Sequence, residues 1–139
     1  MSLYVLDTDT LSLFQHGHPG VCARAATQAE TELATSVISV QEQLDGWNAR
    51  LRHAKQPDEI ARIYQRFTDT VRFLSRLQIL SFTEPAVLRY EHLKTLKLNI
   101  GKMDLGIAAV VLEHGAVLVT RNTRDFQRVP ALVIEDWTV

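Results

Sequence analysis

The chain has 139 residues, 46% hydrophobic and 22% charged, with a formal net charge of −1. That balance excludes a disordered chain and a general polyanion sponge, while local segregation of basic residues leaves nucleic acid open as a partner. No apolar run approaches the ~20 residues of a membrane span, no basic-then-apolar leader opens the chain, and a lone Cys22 forms no internal disulfide, so one domain over 1–139, without membrane contact and in the cytoplasm, is expected.

Leu3-Tyr4-Val5-Leu6 reads as a short strand buried on both faces, stopped by Asp7. Thr8, Asp9 and Thr10 are good caps for a helix continuing through Leu11, Leu13 and Phe14. Asp7 reads equally as a turn or cap residue and as a carboxylate on the edge where open α/β sheets bind ligands. His16-Gly17-His18-Pro19-Gly20 is predicted to be a loop with solvated histidines, followed by a helix over roughly 21–30. On that helix Cys22, among Ala23, Ala25 and Ala26, reads as a small core residue rather than a nucleophile. Leu33-Ala34-Thr35 is the next strand, and Ser36 to Ser39 lead into a helix carrying Glu42, Leu44 and Trp47.

The longest helix is predicted from Pro57-Asp58-Glu59, with Ile60, Ile63, Tyr64, Phe67, Val71 and Leu74 on its apolar face. Arg62, Arg66, Arg72 and Arg76 belong to the opposite, solvated face. Gln78 to Ser81 form a third strand, and Thr83-Glu84-Pro85 opens a helix that runs to near Asn99. Asp104 opens another, with Leu105, Ala108, Ala109 and Leu112 on one face and His114-Gly115 at its end. Ala116 to Thr120 are a buried strand, Arg121-Asn122-Thr123 a polar turn, and Leu132-Val133-Ile134 a last strand. Strands alternating with helices indicate an α/β domain with a parallel sheet.

The carboxyl ends of parallel strands share one edge, so acids far apart in sequence meet there. Asp7 follows the first strand, Glu42 lies early in the helix after the second, Asn122 follows the fourth, and Asp104 sits on the helix feeding the fourth. Carboxylates gathered in a cleft repel unless a cation joins them, and an all-oxygen set selects a hard one, Mg²⁺ or Mn²⁺. Such a centre suits phosphodiester chemistry. Each acid also has a plain structural role open to it. Ser39-Val40-Gln41-Glu42 fits a capping box, Asp104 suits a helix N-cap, and Asp125 has Arg121, Arg124 and Arg128 as neighbours.

Four segments carry a family resemblance in order along the chain. They are Leu6-Asp7-Thr8, the run from Ser36 to Gly46, the run from Ile100 to Ala109, and Leu118 to Phe126 with Val129-Pro130 and Ile134 to Trp137. Together they make the chain similar to PIN-domain proteins, specifically VapC-type toxins of type II toxin–antitoxin pairs. The resemblance implies a parallel sheet in the order 3-2-1-4-5 flanked by helices, and Mg²⁺- or Mn²⁺-dependent endoribonuclease activity on RNA. It also implies a homodimer, and a VapB-type antitoxin whose C-terminal segment occupies a groove beside the site. Carried over residue by residue, the metal-binding acids are Asp7, Glu42 and Asp104, with Thr120 and Asn122 completing the catalytic set. The chain departs from the family at Asn122, where many PIN domains have a fourth aspartate. Two other readings stand beside this one. Asp7-Thr8-Asp9-Thr10 after a strand fits the nucleophile motif of a haloacid-dehalogenase-type phosphatase, and Asn122 leaves room for a PIN scaffold that binds RNA or protein without cutting.

Overall fold

The computed structural model describes residues 2–139. Five strands, β1 (Tyr4–Leu6), β2 (Leu33–Ser36), β3 (Gln78–Leu80), β4 (Val117–Val119) and β5 (Val133–Glu135), form one parallel sheet in the order β3-β2-β1-β4-β5. This is the expected order. Among the described residues seven α-helices connect them, α1 (Thr8–Gln15), α2 (Pro19–Ala26), α3 (Val37–His53), α4 (Pro57–Leu74), α5 (Glu84–Thr95), α6 (Lys102–Glu113) and α7 (Thr123–Phe126), with a short 3-10 helix at Glu30–Glu32 before β2. None is long and apolar enough to cross a membrane among the described residues.

Strand residues alternate between two cores, as a period of two requires. Val5, Ala34, Leu80 and Leu118 face the cluster built by α5 and α6, while Leu6, Leu33 and Val119 face the one containing Leu11, Val21, Leu74 and Trp137. The register sets Leu6 beside both Thr35 and Val119, so Asp7, Ser36 and Thr120 come off the sheet together on its carboxyl edge. Asp7 N–H donates to Val119 O at 3.0 Å, carrying the ladder one residue past β1.

Several local expectations are corrected. The helix bearing Asp104 is buried all round from Leu105 to Val111 rather than along one face, because it packs against the sheet, α3 and α5 at once. Gly106 permits that packing, since a Cβ there would stand 2.7 Å from Ile38 Cδ1. The two loop histidines also cap helix ends: His16, exposed as expected, has Nδ1 2.7 Å from Ser12 O, and half-buried His18 accepts through Nδ1 from Val21 N at 3.2 Å. Because His18 caps it with Pro19 at its first position, α2 starts and ends earlier than predicted. Cys22 is half-buried, its thiol 3.7 Å from Phe14 O. The helix predicted to reach Asn99 stops at Thr95, where Lys97 and Asn99 turn to φ of 51° and 59°, outside the right-handed helical region.

On α4 the buried seam is Ile63, Thr70 and Leu74, whereas Tyr64 and Val71 are exposed. The apolar stripe in the sequence is therefore wider than the face that packs, and polar Thr70 takes a core position by accepting from Trp47 Nε1 at 2.9 Å. The segment after β4 goes beyond the predicted turn into a single helical turn that buries Phe126 completely.

Candidate active site

Asp7 is both a cap and a candidate site residue. Its carboxylate caps α1, accepting from Thr10 N at 2.9 Å, and its side chain is only 6% exposed at the β1–β4 switch point. Burial pushes this carboxyl above the ordinary range; the Thr120 hydroxyl and the Thr10 N–H pull the other way, and nearby Asp9 adds to the rise. Thr120, itself fully buried after β4, also accepts from Asn122 N at 2.9 Å. One hydroxyl thus joins Asp7 to the turn after β4.

Glu42 is not a capping residue. Ser36 caps α3 by accepting from Ser39 N at 3.1 Å, so the capping-box position belongs to Ser39 and Glu42 lies a turn deeper in the helix. Its Oε1 accepts from Thr8 Oγ1 at 2.5 Å. Thr8 Oγ1 also lies 3.0 Å from Ser39 Oγ, which is 3.4 Å from Ser36 Oγ. A hydroxyl has one proton. With that of Thr8 committed to the carboxylate, Ser39 donates to Thr8 and Ser36 to Ser39, a relay of hydroxyls that all point toward Glu42.

Asp104 is not an N-cap either. Gly101 holds that place, and Asp104 is the third residue of α6. It is half-buried, and its carboxyl is pushed up to about 6, first by burial and then by the negative charges of Glu42, Asp7 and Asp125. Glu42 lies on α3, Asp7 directly after β1 and Asp125 on α7, so the tertiary structure brings them near Asp104. Asn122 donates through Nδ2 to Asp125 Oδ2 at 3.1 Å, and Arg128 pairs with the same carboxylate at 3.4 Å. Asp125 is therefore both the ion-paired residue that its arginine neighbours suggest and a contributor to the field at Asp104.

Among the described residues no Lys or Arg pairs with Asp7, Glu42 or Asp104. Arg121, adjacent in sequence to Thr120, is engaged by Asp9 through Nε and through Nη2 at 3.2 Å. Among the described residues no three Asp, Glu, His or Cys side chains close into a ready-made ligand cluster; Glu42 is held by Thr8, and the acids act on one another through their charges. The donor set is all oxygen and carries uncompensated negative charge, which fits a hard divalent cation.

The model of the family described as PIN domain matches residues 4–132. The chain belongs to the PIN domain family. It is similar to ribonuclease VapC1 of Haemophilus influenzae, at 29% identity over 98% of each chain. It is also similar to ribonuclease VapC2 of Rickettsia felis, at 41% identity over 47% of this chain, spanning about half (52%) of that relative. Among solved structures, it is similar to VapBC2 from Rickettsia felis bound to a DNA fragment from their promoter, with a TM-score of 0.80 and 29% identity, covering 97% of this chain and 98% of that one.

Membership in the PIN domain family removes the phosphatase alternative, and the structure gives the physical reason. The second aspartate of Asp7-Thr8-Asp9 is tied to Arg121 instead of standing free beside the first. Reasoning from sequence passed over Thr8 and Ser39 because hydroxyl residues after a strand look like ordinary caps. A pairing between positions 34 apart leaves no periodic trace.

Proposed function

We propose that this protein is a divalent-metal-dependent endoribonuclease and the toxin of a type II toxin–antitoxin pair. The observation that carries the reading is Asp104, whose carboxyl is raised by burial and then by three other acids at the switch point of a PIN fold, with no Lys or Arg among the described residues paired to the three proposed ligands. Asp7, Glu42 and Asp104 would hold Mg²⁺ or Mn²⁺, and such an ion supplies charge neutralisation at a phosphate and a more acidic bound water. The chain's own residues do the positioning. Thr120 orients Asp7, the Ser36–Ser39–Thr8 relay orients Glu42, and Asn122 holds Asp125 toward Asp104 while contributing no charge. Similarity to the ribonucleases of Haemophilus influenzae and Rickettsia felis supports RNA as the substrate, and a cytoplasmic site of action goes with that reading.

The partners follow from the same reading: a VapB-type antitoxin and a second copy of this chain. Tyr64 and Val71 on α4, with half-buried Phe67 between them, present the apolar surface that such contacts bury. The deciding experiment is cleavage of RNA by the purified protein with and without Mg²⁺ or Mn²⁺. Metal-dependent fragments that vanish in Asp7→Asn and Asp104→Asn, and with the co-expressed product of the adjacent upstream reading frame, are the expected result. Cleavage that persists in both variants would overturn the reading.

A further inference from the structure

Positive charge is concentrated in one part of this chain. Residues 50–76, which cover the end of α3, all of α4 and the turn after it, hold seven Lys and Arg against three Asp and Glu. The rest of the chain holds eight against thirteen. All seven cations of the segment are exposed, and none is in an ion pair among the described residues, whereas five of the eight elsewhere are paired. Two of the segment's three acids are engaged otherwise: Asp69 accepts from Gln65 Nε2 at 3.0 Å and Glu59 from Lys55 N at 3.1 Å. The α3–α4 hairpin therefore carries a positive field that its own acids leave in place.

This field begins close to the acidic crevice. Arg50 follows Glu42 by eight residues on α3, about 12 Å along the axis. It lines the same open cavity, of about 420 Å³, as Thr8, the residue that bonds Glu42. Its guanidinium stands 5.0 Å from the Trp47 ring centroid, a contact that steadies the side chain and keeps its charge. Arg66 lies beside the same Trp47 and Thr70, and Arg62 is one helical turn before Arg66 on the same side of α4. Three guanidinium groups thus continue from the acids onto the hairpin.

A stable protein interface is built round an apolar core. The exposed apolar residues of α4, Tyr64 and Val71, stand on the far side of the helix from Arg62 and Arg66, at about 100° per residue. A nucleic-acid backbone needs no apolar core, because it binds through charge and the release of counterions. The acids themselves repel RNA until a cation joins them, so attraction has to come from another surface. We infer that the α3–α4 hairpin is a docking arm for the RNA backbone, with Arg50, Arg62 and Arg66 binding phosphates of the strand whose scissile phosphate lies at the acids. The inference rests on the ribonuclease reading and adds the substrate class to it: RNA long enough to reach both places, held by its phosphates and not by its bases.

The test is fluorescence anisotropy of a labelled single-stranded RNA over a salt series, in chelator so that no cleavage competes. For wild type, log affinity should fall linearly with log salt. Arg62→Gln/Arg66→Gln should bind roughly tenfold or more weakly, with a slope shallower by about 1.4, because each phosphate contact on a single strand contributes about 0.7. Arg62→Lys/Arg66→Lys should keep the wild-type slope. Arg89→Gln/Lys97→Gln removes the same net charge from the α5 region and should change neither affinity nor slope. Should the glutamine pair fail to fold, Arg50→Gln carries the same test, with a slope shallower by about 0.7. An unchanged slope in the arm variants, or an equal loss in the α5 control, overturns the arm. So does loss of the co-expressed upstream product with RNA affinity intact, which would make the hairpin a protein-docking surface. Cleavage with Mn²⁺ is scored separately, where the glutamine pair should raise KM for the same RNA and leave kcat unchanged. Protein that cuts RNA but whose affinity ignores these arginines loses only the arm, and protein that binds RNA through them but never cuts loses only the nuclease reading.

Discussion

Thr8 gives its hydroxyl proton to Glu42 across 34 positions of sequence, at 2.5 Å. The bond ties the first turn of α1 to the second turn of α3 and leaves Glu42 Oε2 available to a cation. Groups that orient a metal-binding carboxylate are worth roughly 10- to 100-fold in metal affinity. Thr8→Val keeps the shape and removes the proton, so it should weaken Mn²⁺ binding by about that factor. Thr8→Ser, which keeps the hydroxyl, should restore most of it. Titration calorimetry on both variants checks this, and equal affinity in wild type and Thr8→Val would show that Thr8 orients nothing.

Glu42→Gln separates charge from hydrogen bonding. The amide oxygen still accepts from Thr8, and the cap of α3 is made by Ser36, so stability should stay within about 0.5 kcal/mol of wild type. Ribonuclease activity should fall by orders of magnitude, because a hard divalent cation needs the carboxylate. Full activity in this variant would remove Glu42 from the site.

The metal-free protein should lose stability as the pH rises. Both Asp7 and Asp104 have folded-state pKa values above the ordinary carboxylate value, Asp104 at about 6. A raised value means that the folded state holds the proton more tightly. The associated stability is full below the ordinary carboxylate pKa of about 4 and is lost as the pH rises through the folded value. Melting in chelator should therefore be higher near about pH 5 than near about pH 7.5, and Mg²⁺ or Mn²⁺ should recover the difference at the higher pH. A flat profile that metal does not move would contradict the clustered-acid site.

Position 122 gives a graded outcome. Asn122 donates to Asp125 through Nδ2. Asn122→Asp replaces that donor with a second carboxylate, which should destabilise the metal-free protein and tighten metal binding while activity is kept. Asn122→Ala releases Asp125 and should lower activity. Melting curves with and without Mn²⁺, read beside cleavage rates, distinguish these outcomes. Identical behaviour in all three proteins would place the turn after β4 outside the site.

Gly46→Ala should stabilise the fold by roughly 0.5–1 kcal/mol, since alanine is the better helix former and its methyl group meets open space. Urea unfolding measures this directly. A destabilised variant would show that the added methyl group meets a neighbour and that helix propensity does not decide this position.

The strand positions were legible in the sequence, and with them the placing of Asp7 just past the end of a strand, while the sheet order came from the resemblance to PIN domains. Buried parallel strands write themselves as short apolar runs, and residues at their ends inherit a common edge. Helix limits were less legible. Left-handed residues such as Lys97 and Asn99, and a histidine cap such as His18, end or start helices without a strong compositional mark. Only the tertiary structure decided that Ser36 rather than Ser39 caps α3, which removed the capping role from Glu42. It also decided that Thr8 and Ser39 serve that carboxylate, that Asp125 adds to the field at Asp104, and that Trp47, Gln43 and Gly46 share a cavity with Thr8. Side-chain hydrogen bonds and cavities arise between elements distant in sequence, and their geometry depends on how those elements pack. Periodicity records which face of a segment is apolar; it holds no information about which polar atom of another segment will stand opposite.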